Sequence, residues 1–213
     1  MHQTIQRKQF EEIKKHLQEK EITLIIGPRQ VGKTTLLNLL KDYLIKDKKI
    51  SQNKIFFFNL DRIKDVEFFE SQEEVIKFLK TKSGKIYFFI DEAQKIKEAG
   101  RFIKGIYDLG LNLKIILSGS SSLELKSQFQ ESLTGRKRIF YLWPLSFSEF
   151  LKYKELDLFN LINQKKEISK YEEQIIFSLF EDFIIYGGYP SVVKESDLEK
   201  KQFLLEEIYN SYI

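Results

Sequence analysis

The chain has 213 residues, 42% of them hydrophobic and 31% charged, with 10 Gly and 3 Pro, which excludes a disordered or collagen-like chain and fits one large domain or one and a half. Cys is absent and the two histidines are His2 and His16, so no disulfide framework or Cys nucleophile exists, and neither a zinc site nor a His-based triad is expected. The net charge of +4 hides an asymmetry: residues 1–144 carry 27 basic against 18 acidic side chains, whereas residues 145–213 carry 8 against 13.

The apolar spacing of Ile5, Phe10, Ile13 and Leu17 predicts a helix within residues 4–20. ITLII (22–26) then stops at Gly27, and a helix follows over 34–46. IFFFNL (55–60) precedes a predicted helix over 65–80, IYFFI (86–90) precedes one over 96–109, LKIIL (113–117) leads into SGSSS, and RIFYLW (138–143) reads as a fifth strand. Runs apolar at every position suggest strands buried on both faces, hence a parallel sheet between helices. Loops at the carboxyl ends of such strands carry function. Beyond Pro144 only helices are predicted, over 146–154, 156–163, 171–185 and 191–211, broken by GGYP (187–190). The expected domains are thus an α/β domain over 1–144 and a helical lid over 145–213. The last helix lacks a stop signal, so the natural chain is expected to continue. No apolar run reaches 18 residues and the start lacks the apolar core of a secretory signal, so a cytoplasmic protein without a membrane partner is expected.

Gly27-Pro28-Arg29-Gln30-Val31-Gly32-Lys33-Thr34, followed by Thr35, matches the phosphate-binding G-x-x-x-x-G-K-[ST] pattern. Its context is strand, loop, helix. Gly27 and Gly32 let backbone N–H groups turn towards phosphate oxygens, and a helix starting there adds its positive end. Lys33 is expected on the β- and γ-phosphates and Thr34 on Mg²⁺. Asp91 and Glu92 close the third apolar run: Asp91 is the expected Mg²⁺ ligand and Glu92 the base for water. Gln94 is a candidate helper at the γ-phosphate. Ser118 or Ser120 is a candidate contact to the γ-phosphate or water, with Ser121 as a helix cap. Arg136, in LTGRK before the fifth run, is a candidate arginine finger acting on a neighbouring subunit.

GPRQVGKTTLL, FFIDEAQKI, LSGSSS, LTGRK and LWPLSFSEF together resemble the bacterial and archaeal AAA-type ATPases, whose N-terminal P-loop domain precedes a C-terminal domain of unknown function. The resemblance implies an AAA+-like sheet of order 5-1-4-3-2, ATP with Mg²⁺, a sensor role for Ser118 and a finger role for Arg136. GGYP resembles a stretch that lines the adenine pocket in related NTPases, which would place Gly188 and Pro190 there. Two departures from the resembled family are expected: residues 145–213 contain no Arg, leaving Lys194 as a poor substitute for a sensing arginine, and the family's C-terminal domain is not expected within these 213 residues.

These features lead to an Mg-ATP-hydrolysing switch or motor with a DNA or protein partner, self-associating through Arg136. The alternatives are a nucleotide-gated nucleic-acid-binding module, for which the Lys-rich stretches 41–54 and 77–85 are candidate contacts, and a small-molecule kinase, which the Arg-free tail disfavours.

Overall fold

The computed structural model describes residues 4–120, 129 and 131–212. They fall into two compact units, one of Gln9–Gly27 and Lys33–Leu142 and the other of Met1–Lys8, Pro28–Gly32 and Trp143–Ile213.

The first unit holds a five-stranded sheet: β1 (Ile22–Gly27), β2 (Ile55–Asn59), β3 (Ile86–Asp91), β4 (Leu113–Ser120) and β5 (Lys137–Tyr141). The order is β2-β3-β4-β1-β5 and every pairing is parallel, the same order as 5-1-4-3-2. β1 and β3 are buried at every residue, and β4 at all but its ends. The two edge strands are only partly buried, so their apolar runs do not reflect two covered faces.

Helices close the sheet with apolar stripes at helical spacing. They are α1 (Lys8–His16), α2 (Lys33–Lys46), α3 (Ile63–Phe68), α4 (Gln72–Lys80) and α5 (Ala99–Tyr107). In α2 the stripe is Leu36, Leu37, Leu40 and Leu44. The helix predicted over 65–80 is two helices. Phe69 leaves the first to pack against Phe58, Phe88 and Phe102, and the Ser71 side chain accepts the Glu74 N–H at 3.3 Å to start the second. The helix predicted over 96–109 is the shorter α5, and a 3₁₀ turn, Ala93–Lys95, precedes it.

The second unit is helical: α6 (Phe147–Lys154), α7 (Leu156–Asn163), α8 (Lys170–Tyr186), α9 (Pro190–Lys194) and α10 (Leu198–Asn210). The predicted helix over 191–211 is two, because Asp197 takes an extended backbone and caps α10 through the Lys200 N–H at 2.9 Å. Ser146 and Glu149 form a reciprocal capping box on α6. Ile5, Leu145, Phe150 and Val193 make this unit's core, backed by Phe147, Leu179 and Phe183.

Candidate functional site

Parallel strands end at one edge of the sheet, and here that edge gathers the motif residues. β1 ends at Gly27, β3 at Asp91 and β4 at Ser120. β4 lies between β1 and β3, so Ser118, paired with Ile25, sits between the strand of the glycine loop and the strand of the paired carboxylates.

Gly27 leads out of β1 and Lys33 opens α2. Lys33 is buried; its Nζ donates to the Gly27 carbonyl at 3.0 Å and lies 4.0 Å from Glu92 Oε1. Thr34 and Thr35 are exposed on the first turn of α2. In between, Gln30 and Gly32 take left-handed backbones, with φ of 62° and 94°. Alternation of this kind makes a concave nest of N–H groups. Arg29 and Gln30 are exposed, Pro28 is half-buried and Val31 is buried.

Asp91 is fully buried. Its Oδ1 accepts the Ser118 hydroxyl, while Oδ2 is buried with no hydrogen-bond partner. A buried carboxylate oxygen without a partner is costly unless a cation or a cation-bound water meets it. The donor set therefore fits Mg²⁺, a hard cation that takes few protein oxygens. Glu92 takes a left-handed backbone with φ 56° and ψ 46°. Such a conformation costs a non-Gly residue on the order of 1–3 kcal/mol and persists where surroundings enforce it. Here the Glu92 N–H donates to Ser118 Oγ at 3.1 Å, and Gln94 Nε2 donates to Glu92 Oε2. Gln94 Oε1 is buried with no partner.

Ser118 is fully buried, and its one proton is committed to Asp91. The hydroxyl thus links the Asp91 carboxylate to the Glu92 backbone. Ser121 lies outside the described residues. Arg136 is not brought to this edge. Its carbonyl accepts the Ile22 N–H at 2.8 Å, at the amino end of β1. Its guanidinium forms a two-point ion pair with Asp108, at 2.7 and 3.2 Å.

In the helical unit, Gly188 is where two backbones meet. Leu145 N–H donates to the Gly188 carbonyl at 2.7 Å, and a Cβ on Gly188 would lie 2.2 Å from the Leu145 oxygen. Pro190 starts α9 next to the loop: a Cβ built on Gly32 would lie 4.0 Å from Pro190 Cγ. Sequence reasoning missed Arg7, which bonds the Val31 carbonyl at 2.8 Å and Glu149 at 3.2 Å. The Ser146-to-Glu149 spacing was a readable cap signal, but nothing local marks Arg7 as its partner.

Residues 19–151 match the AAA domain family. Similar proteins include an uncharacterized protein of Haemophilus influenzae, 29% identical over 196 residues, which are 90% of this chain and 45% of that protein. Another is the uncharacterized protein MJ1544 of Methanocaldococcus jannaschii, 32% identical over 187 residues, which are 88% of this chain and 40% of that one. The chain thus spans less than half the length of these curated relatives. Among solved structures, C. elegans PCH-2 has a TM-score of 0.55 at 12% identity, covering 96% of this chain and 67% of that one. Aeropyrum pernix ORC1, solved in complex with DNA, has a TM-score of 0.54 at 12% identity, covering 100% and 78%. At that identity the likeness is one of fold. No helix among the described residues is long and apolar enough to cross a membrane. The family match over more than half the chain, on a parallel sheet of this order, shows that the protein belongs to the AAA domain family, as a nucleotide-binding, ATPase-like module.

Proposed function

We propose that the chain binds ATP with Mg²⁺ at residues 27–35 and hydrolyses it, acting as the ATPase module of a switch or motor. The observation that carries this reading is the Asp91 carboxylate: buried at the end of β3, bonded by Ser118 on one oxygen and open on the other.

Thr34 and Asp91 would hold the Mg²⁺, which would supply charge stabilisation on the β- and γ-phosphate oxygens. Lys33 brings a cation whose position is already set by the Gly27 carbonyl. Gln30, Val31, Gly32, Lys33, Thr34 and Thr35 offer their N–H groups to the phosphates, and Arg29 sits at the loop tip. Glu92 is the base. Water attacks the γ-phosphorus, the bond to the ADP oxygen breaks, and the water proton passes to the Glu92 carboxylate. Gln94 steadies that carboxylate through Nε2, and its open Oε1 is a second acceptor for the same water. Ser118 is a positioning residue that aligns Asp91 and the Glu92 backbone. Pro190, close to Gly32, and Gly188 two residues before it would line the adenine side, on the helical unit read as the lid.

Arg136 is read as a finger for a second copy, with Asp108 as its partner until subunits meet. The test is steady-state Mg-ATP hydrolysis over a protein concentration series, with Arg136→Ala in parallel. Turnover per subunit that rises with concentration, and does so only when Arg136 is present, supports the finger. A flat rate, equal in both proteins, rules it out while leaving the ATPase reading intact. Absence of both nucleotide binding and turnover overturns that reading.

A further inference from the structure

The glycine loop is gripped from outside through its carbonyl groups. Arg7 is buried, 8% exposed, and its guanidinium is committed in three directions. Nε donates to Glu149 Oε1 at 3.2 Å, Nη1 to the Val31 carbonyl at 2.8 Å, and Nη2 to the Trp143 carbonyl. Glu149, 6% exposed, is fixed just as fully. Its Oε1 also accepts the Lys8 N–H at 2.9 Å, and its Oε2 accepts the Ser146 N–H at 2.9 Å and the Ser146 hydroxyl at 3.2 Å. Burial pushes the Glu149 carboxyl up, but the Ser146 and Lys8 N–H groups and then Arg7 outweigh it and hold the group below its ordinary value. The Glu149 carboxyl is therefore ionised at neutral pH. A second grip lies two peptides away from the first. The Tyr212 hydroxyl donates to the Arg29 carbonyl at 3.2 Å, and Arg29 Nη1 donates to the Ser211 carbonyl at 2.8 Å.

Both grips act on the direction of an N–H group. The chain has no cis peptide among its described residues. In a trans peptide the carbonyl and the following N–H point opposite ways. Holding the Val31 carbonyl on Arg7 turns the Gly32 N–H away from the guanidinium. Holding the Arg29 carbonyl on Tyr212 does the same for the Gln30 N–H. Gln30 and Gly32 are the two left-handed residues of the loop, so these are the two peptides whose orientation makes the nest. A loop fixed beforehand loses less freedom when an anion binds. The planar fork of Arg can hold three acceptors at once, which the point charge of Lys cannot do with the same geometry.

We propose that Arg7, braced by Glu149, is a positioning residue for the nucleotide phosphates, setting the Val31–Gly32 peptide while Tyr212 sets the Arg29–Gln30 peptide. This rests on the reading of residues 27–35 as the nucleotide site. It goes beyond it in assigning phosphate affinity to side chains outside the motif.

The test is calorimetric binding of ADP and of inorganic pyrophosphate, without added metal, to wild type, Arg7→Lys and Tyr212→Phe. Arg7→Lys is expected to weaken both ligands by about 10–100-fold, what one hydrogen bond to a charged group is worth. Tyr212→Phe, which keeps its half-exposed ring, is expected to weaken both by about 2–10-fold. In hydrolysis, KM for ATP should rise by a larger factor than kcat falls. A role confined to stability would instead lower the melting temperature and leave both affinities unchanged in the folded fraction. That result in Arg7→Lys overturns the proposal. So does a loss for ADP with pyrophosphate unchanged, which puts Arg7 at the base. If Arg7→Lys does not fold, Tyr212→Phe decides, and unchanged affinities there overturn the proposal. Wild type that binds neither ligand overturns the nucleotide reading itself, and this inference with it.

Discussion

The Ser118 hydroxyl donates its one proton to Asp91 Oδ1, two strands coupled through one bond at the carboxyl edge of the sheet. The same oxygen accepts the Glu92 N–H, so a single side chain holds both the Asp91 carboxylate and the Glu92 backbone. That relationship explains how Glu92 holds a left-handed backbone that a non-Gly residue rarely adopts.

Ser118→Ala should leave Asp91 Oδ1 and the Glu92 N–H without this partner. Stability should fall by about 1–3 kcal/mol, read by denaturant unfolding. Turnover should fall with it, while ADP affinity in the absence of metal stays close to wild type. Unchanged turnover in a folded Ser118→Ala protein would remove Ser118 from the site.

Lys114 should make the protein more stable at alkaline pH. It is buried at the amino end of β4, donates to the Glu21 carbonyl, and lies 3.3 Å from His16 Nδ1, which is 2.8 Å from Thr23 Oγ1. Burial, then the charge of Lys85, pushes Lys114 down to about 7. Burial, then Lys114 and Arg138, pushes His16 down to about 4. Unfolded Lys keeps its proton to about pH 10.4, so between about 7 and 10 the unfolded chain binds more protons and stability rises with pH. His16 adds the same sign between about 4 and 6.5. Unfolding free energy at pH 9 should exceed that at pH 7 by about 1–2 kcal/mol, and Lys114→Met should flatten this difference. A slope that survives in Lys114→Met assigns it elsewhere.

Gly188→Ala should be strongly destabilising, because its Cβ would sit 2.2 Å from one Leu145 backbone atom and 2.9 Å from another. Backbone cannot swing aside as a long side chain can. Melting should drop by several degrees, in line with an overpacking cost of about 1–3 kcal/mol. A wild-type melting temperature would show that the Leu145 backbone yields.

The legible parts of this protein were local. β1, the glycine loop and α2 are contiguous, and so are β3 and the carboxylates Asp91 and Glu92. Each motif therefore carried its own context. Helix boundaries were less legible where tertiary packing intervened: Phe69 reads as one more apolar position in a long helix, yet the core draws it out of α3. The grip of Arg7 joins residues 142 positions apart in the case of Glu149, and 24 apart in the case of Val31. No periodicity encodes such a pair. Lys114 was equally hidden, since an apolar run around one Lys reads as a strand end, not as a buried cation.

The role of Glu92 as the base is tested by Glu92→Gln, measured for ATP binding and for phosphate release at saturating Mg-ATP. ATP affinity should stay close to wild type and turnover should fall by about 10²–10⁴-fold, the usual contribution of a positioned general base. Phosphate release at the wild-type rate, with ATP bound, would contradict Glu92 as the base and with it the hydrolytic mechanism.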